Sequence, residues 1–324
     1  MRVLFAGTPE IAVHSLARIH ENFEVVGVLT SPDMKKGRGR RLVHSPVKEK
    51  ALELGLRVIQ PQRLRRNARE EIAVLEADIL AVYAYGRIFG PKFLSLFPQG
   101  AVNVHPSLLP RYRGSAPITA PIVNGDEKTG VSVQTVEVEV DSGDILGKRV
   151  IPLDGTETTA SLSERMATDG AELVVEVLED IAAGTAVPEP QEESNVTVCR
   201  RLTKRDGEIL WALPAEMIER MVRAYIPWPK AYTHWKGKYL SILESHLVPA
   251  ERHTGVGPGV KYEGERAAPG TIAGMDREDG ILVQTGRGML GITELQLEGK
   301  KPLHFEQFLN GNRDFLHAHL GVKE

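Results

Sequence analysis

Hydrophobic positions in the first third of the chain fall into short runs separated by helical patterns. Val3-Leu4-Phe5-Ala6 is apolar throughout and leads into Gly7-Thr8-Pro9-Glu10. Thr8 has the chemistry of a helix N-cap, and Pro9 suits a first helical turn. Ile11, Ala12, Ser15, Leu16 and Ile19 then recur at helical spacing. The alternation continues with a strand over 24–30, a helix opening at Ser45-Pro46-Val47, a strand over 57–60, an amphipathic stretch over 72–77 and a very apolar strand over 78–84. Strands that are apolar on both faces and alternate with helices predict a mainly parallel sheet covered on both sides, the doubly wound α/β class. Ligands of such sheets lie beyond the carboxyl ends of the strands.

The texture changes near residue 183. A small, polar, proline-containing stretch follows, from Ala183 to Ser194, and reads as connecting chain. Beyond it lie a helix over about 214–225 and short alternating segments at 271–273, 280–284 and 291–297, separated by glycines. That pattern predicts a small antiparallel β-barrel of OB-like type. The expected organisation is a Rossmann-like α/β domain over 1–188, a linker over 189–207 and a C-terminal domain over 208–324. The first strand-turn-helix carries a single glycine, Gly7, and lacks the G-x-G-x-x-G spacing of a dinucleotide site.

Composition narrows the class. With 42% hydrophobic and 26% charged residues among 324, the chain has the material for a packed core and does not resemble a disordered protein. No apolar run reaches the roughly 18–20 residues that span a bilayer, and Met1-Arg2 leads straight into a strand rather than a secretory leader. A single cysteine, Cys199, forms no internal disulfide and builds no zinc site by itself, so a reducing, cytoplasmic setting is expected. The histidines lack ligand-spaced partners, and no metal is expected. Net charge is only −3, yet residues 31–66 hold eleven Lys and Arg against Asp33, Glu49 and Glu53. Such local concentration of positive charge favours an anionic partner.

The most informative stretch is Val102-Asn103-Val104-His105-Pro106-Ser107-Leu108-Leu109-Pro110. Side chains alternate along a strand, so Asn103 and His105 share a face, and Pro106 puts His105 at the carboxyl end. An amide and an imidazole there can both donate hydrogen bonds to one developing negative oxygen. The alternating run from Gly130 reads as a long strand ending in the acidic turn Asp141-Ser142-Gly143-Asp144. Asp141 is placed to orient His105; a satisfied polar pair and a plain tight turn are the structural alternatives. A G-x-S-x-G nucleophile elbow is absent from the sequence, which disfavours covalent serine catalysis.

Asn103-x-His105 with Ser107-Leu108-Leu109-Pro110, and Asp141 downstream, resembles the signature of the formyltransferases that use 10-formyltetrahydrofolate. Further stretches sharpen the resemblance, among them Ser31-Pro32-Asp33 with Gly37-Arg38-Gly39, Arg111-Tyr112-Arg113-Gly114, and Arg223-Ala224-Tyr225 with Pro227-Trp228-Pro229. They narrow it to the members that formylate methionine carried on initiator tRNA, and the similarity runs through nearly the whole chain. The resemblance implies Asn103, His105 and Asp141 as the catalytic trio. It implies a folate site lined by Ser107, Leu108, Leu109 and Pro110, and a loop that contacts tRNA through Lys35, Lys36, Arg38, Arg40 and Arg41. It further implies an OB-like, tRNA-binding C-terminal domain; the sequence suggests no oligomer interface, so a monomer is the default expectation. Glu139 stands where the family commonly has glycine, and Tyr85-Gly86-Arg87-Ile88-Phe89-Gly90-Pro91 departs from a common Ile-Leu-Pro run. An enzyme with the same trio acting on a small-molecule amine is the alternative; it would leave the basic loop and the C-terminal domain without a purpose.

Overall fold

The computed structural model describes residues 1–36, 41–249 and 267–321. By its internal contacts the chain divides into two units. The first comprises Met1–Ile118, Glu127–Leu153 and Ser161–Arg200; the second comprises Thr119–Asp126, Asp154–Ala160 and Arg201–Glu324. In chain order the elements up to residue 200 are β1 (Arg2–Gly7), α1 (Val13–Asn22), β2 (Glu24–Leu29), β3 (Met34–Lys36), β4 (Arg41–Val43), α2 (Pro46–Glu53), β5 (Val58–Ile59), α3 (Arg66–Ala73), β6 (Ile79–Tyr83), α4 (Pro91–Leu94), β7 (Ala101–His105), β8 (Arg113–Gly114), α5 (Thr119–Asn124), β9 (Lys128–Thr135), β10 (Ile145–Pro152), α6 (Thr159–Ala183) and β11 (Val198–Cys199).

The sheet of the first unit has the order β10-β9-β7-β6-β1-β2-β5. From β5 to β7 every pairing is parallel, whereas β9 and β10 close the far edge antiparallel. The expected doubly wound, mainly parallel sheet is therefore present. All five residues of β6 are buried, as an apolar strand covered on both faces must be. The chain winds outward from β1 to β2 and β5, then returns to β6 and β7, so its direction reverses between β1 and β6. Ser45 caps α2 by accepting from the Lys48 N–H at 3.1 Å, with Pro46 at the first helical position.

Two local expectations are revised. Thr8 caps no helix: its Oγ1 lies 3.1 Å from Ser31 Oγ, and extended Pro9 precedes a 3-10 turn at Glu10–Ala12 before α1 begins. The strand predicted to run into the acidic turn stops at Thr135, which pairs with Val102. Ala101 then takes the Val136 N–H, and Gly100 turns the neighbouring chain away with a φ of +78°, so residues 137–140 have no strand to pair with. Val138 and Val140 are accordingly exposed.

The second unit contains α7 (Ala215–Ala224), β12 (Ala231–Trp235), β13 (Lys238–Leu247), β14 (Ile272–Asp276), β15 (Gly280–Gln284), β16 (Met289–Leu297), β17 (Leu303–His304) and α8 (Phe305–Gly311). Its strands form an antiparallel sheet in the order β12-β13-β16-β15-β14, with β17 alongside β16. Among the described residues no ladder joins β12 to β14, so the sheet is open rather than a closed barrel. The core includes Trp211, Ile218, Leu295 and a ring cluster in which Phe315 lies 5.0 Å from both Trp235 and Phe308. The two early segments join this unit through α7: Thr159 Oγ1 donates to Ala224 O, Arg223 to Glu157 O and Arg220 to Asn124 O. No helix among the described residues is long and apolar enough to cross a membrane.

Candidate active site

β7 is held between a parallel and an antiparallel neighbour. Asn103 pairs with Val82 and Gln134, and His105 with Ser132. The strand ends at His105, where Pro106 follows, so the imidazole sits at the carboxyl end as the pattern predicts. His105 is only 4% exposed. Its Nε2–H donates to Tyr112 O at 2.9 Å, and its Nδ1 faces Asp141 Oδ1 at 3.5 Å. A ring bearing both protons thus has an acceptor on each side. Asn103 is half-buried, and its side-chain amide makes no hydrogen bond to any described residue.

Asp141 reaches this point from the loop after β9, and the structure brings it to His105 across 36 positions of sequence. Its backbone is left-handed, with φ +56°, a conformation that Asp tolerates better than most residues. Its Oδ2 accepts from the Gly114 N–H at 2.8 Å and its Oδ1 from Gln134 Nε2 at 3.2 Å. Gly143, two residues on, must be glycine, because a Cβ there would lie 1.9 Å from Thr135 O. A carboxylate fixed 3.5 Å from Nδ1 favours the ring orientation in which that nitrogen faces it.

Cys199, which the sequence leaves without a role, lies against this site. β11 pairs with β8, and the thiol Sγ is 3.3 Å from Tyr112 O, the carbonyl that also receives His105. Burial, with the Asp141 charge adding to it, pushes the thiol up from its ordinary value.

The other sites named from the sequence fall as follows. Ser107 and Leu109 are buried: Ser107 Oγ donates to Arg111 O at 2.6 Å, while Ser132 Oγ donates to Ser107 O at 2.7 Å and accepts from the Leu109 N–H at 3.0 Å. Leu108 and Pro110 are half-buried. In the basic loop, the backbones of Lys35 and Lys36 in β3 pair with that of β4, which Arg41 opens; Arg38 and Arg40 lie outside the described residues. Just before the hairpin, Asp33 accepts from Gln60 Nε2 at 2.8 Å and Lys48 Nζ at 2.6 Å. Those bonds, the amide of Gln60 first and Lys48 next, hold its carboxyl below the ordinary value. Among the described residues no group of three His, Cys, Asp or Glu is arranged to hold a metal ion.

Gln134 and Gln191, both around Asp141, escape the sequence reading, and Arg113 enters it only as part of the stretch Arg111-Tyr112-Arg113-Gly114. Gln134 is 2% exposed and Arg113 is 6% exposed. Gln134 has a signal available in hindsight, as a polar residue in the middle of an apolar strand. Gln191 has none, because its partners lie about fifty residues away.

Comparison with known proteins places the chain. Residues 1–178 match the formyl transferase family and residues 201–313 the formyl transferase C-terminal domain. The methionyl-tRNA formyltransferase of Treponema denticola is 42% identical over 324 residues, covering 98% of each chain. Two solved structures are similar in fold. The N-formyltransferase of Helicobacter canadensis, in complex with folinic acid and dTDP-3-aminofucose, has a TM-score of 0.64 at 19% identity, covering 90% of this chain and 97% of that one. The methionyl-tRNA formyltransferase of Clostridium thermocellum has a TM-score of 0.53 at 18% identity, covering 76% of this chain and 94% of that one.

Proposed function

The chain belongs to the methionyl-tRNA formyltransferase family, and on that footing we propose that it moves a formyl group from 10-formyltetrahydrofolate to the α-amino group of methionyl initiator tRNA. The observation that carries the reading is the arrangement at the end of β7: a buried His105–Asp141 pair beside the Asn103 amide, which has no hydrogen-bond partner among the described residues. These residues suit a formyl carbonyl, since the Asn103 amide can donate to an oxygen gaining negative charge and the His105–Asp141 pair stands ready beside it for proton transfer.

The chemistry asked of the protein follows from the bonds exchanged. A neutral amine attacks the formyl carbon, the bond from that carbon to the folate nitrogen breaks, and the amine proton must reach the departing nitrogen. Asn103 donates to the carbonyl oxygen as charge builds there; one such donor is typically worth about 2.7–4 kcal/mol. His105, held by Tyr112 O, lies against the fixed Asp141, which sets the orientation of its ring. Proton transfer assisted by such a pair contributes roughly 10²–10⁴-fold. Leu108 and Pro110, half-buried beside the site, suit an apolar wall for folate, with Ser107 and Leu109 bracing the turn behind them.

In this reading residues 1–188, apart from Thr119–Asp126 and Asp154–Ala160 that belong to the second unit, form the catalytic part and 208–324 an OB-like module for tRNA, with 189–207 between them. The loop from Lys35 to Arg41 meets the phosphates of the acceptor stem, and the enzyme works as a monomer in the cytoplasm. Binding through such a loop falls steeply with salt. The deciding experiment incubates the enzyme with methionylated initiator tRNA and 10-formyltetrahydrofolate and reads the aminoacyl product by mass spectrometry. Addition of one formyl group to the methionine is expected, with turnover in His105→Ala lowered by about two orders of magnitude. No mass gain on the methionyl-tRNA with the wild-type enzyme overturns the reading.

A further inference from the structure

We infer that Gln191, from the chain that follows α6, is a positioning residue that sets Asp141 against His105. The inference rests on the functional reading above, in which Asp141 orients the imidazole.

The bonds inside the turn that carries Asp141 leave its carbonyl unanchored. Asp141 sits in a left-handed conformation whose cost to a non-glycine residue the surroundings must offset. Thr135 N–H donates to Asp144 O, Asp144 N–H to Thr135 Oγ1, and Ser142 Oγ–H to Glu139 O. None of these bonds reaches the carbonyl of Asp141.

Gln191 does. Its Nε2 lies 2.9 Å from Asp141 O, 2.7 Å from Gly143 O and 3.0 Å from Gln134 Oε1, so two amide hydrogens are shared among three oxygens. Its other end is fixed as well: Gln191 Oε1 accepts from Arg113 Nε at 3.0 Å, and the same guanidinium reaches Glu193 Oε1 at 2.9 Å. The contact to Gln134 also matters for the carboxylate, because Gln134 Nε2 donates to Asp141 Oδ1. Accepting from Gln191 through Oε1 leaves Gln134 only one way round, with Nε2 toward the carboxylate. One side chain therefore fixes both the main chain of Asp141 and the amide that holds its acid group. Glutamine alone among the common residues supplies a donor pair and an acceptor at these distances; glutamate would set an oxygen against three oxygens.

The test uses the full-length enzyme with Gln191→Leu, Asp141→Asn and the double variant. Displacing a catalytic group by about 1 Å costs roughly 10²-fold, so Gln191→Leu is expected to lower kcat by up to that factor with the KM for folate near the wild-type value. In the double variant the loss is expected to equal that of Asp141→Asn alone, because both act through one group. The ¹⁵N resonances of the His105 ring supply a readout apart from rate, and in Gln191→Leu they move in the same direction as in Asp141→Asn. Should Gln191→Leu not fold, Gln191→Glu keeps the acceptor for Arg113 and repeats the comparison. Full kcat in the Gln191 variants, or a loss additive with that of Asp141→Asn, overturns the inference and leaves the functional reading intact. Wild-type turnover in Asp141→Asn removes that reading together with the inference.

Discussion

In the first unit β6 buries every residue, and the polar side chains Asn103 and His105 emerge only as β7 runs out. In the second unit the rings of Trp235, Phe308 and Phe315 meet at the heart of an antiparallel sheet, where a buried polar pair such as Trp211 Nε1–H to Thr233 Oγ1 is self-satisfied at 3.0 Å. A parallel sheet covered on both faces has only its strand ends free for chemistry. There the protein surrounds Asp141 and His105 with partners, while the Asn103 amide has none among the described residues. An apolar core contributes stability through area and packing, whereas the strand end contributes donors fixed in place before any substrate arrives.

Separating stability from rate tests this contrast. The largest effect is expected for Phe315→Ala, fully buried in the ring cluster: a loss of about 3–5 kcal/mol in unfolding free energy by denaturant titration, with the ¹⁵N signals of His105 unmoved. An unchanged midpoint would show that the cluster is not the core it resembles. Asn103→Ala is expected to do the reverse, lowering kcat by about 10²–10³-fold in the formylation assay while the melting temperature stays close to wild type. A large fall in melting temperature would make the amide a structural group. Ser132→Ala falls between them, since it leaves the buried Leu109 N–H without its acceptor, and should cost about 1–3 kcal/mol. The smallest effect belongs to Asp33→Asn. Its folded carboxyl lies below the ordinary 3.8, so its stabilisation is present above that pH and is lost as pH falls through the folded value. The difference in melting temperature between wild type and variant should therefore be largest near neutrality and close in acid.

Much of the first unit can be read from local pattern. Ile79–Tyr83 is apolar enough to be a central strand wherever it occurs, and Ser45-Pro46 announces a helix start through its own chemistry. The meeting of His105 with Asp141 is implied by the family signature, whereas the run between Thr135 and Asp141 is not the strand that its alternation predicts. The 25-residue α6 is legible too, since Leu162, Met166, Gly170, Val174 and Leu178 recur at helical spacing, although it is not among the elements predicted above. Other elements leave weaker marks. In β13, register shifts at Ile242/Glu244 and Glu244/Ser245 break the two-residue period that would have revealed a strand. Gln191 bonds to main-chain oxygens and to side chains far along the sequence, and a main-chain oxygen carries no residue identity for a pattern to catch.

The second unit is assembled from three pieces of chain, two of them short segments that arrive before residue 161. No single genetic cut can lift it out whole. A gene fragment ending near 188 would carry Thr119–Asn124 and Asp154–Ala160 away from α7, and a fragment beginning near 208 would leave α7 without them. Exchange of this unit between relatives by one crossover would join the α7 of one parent to early segments from the other.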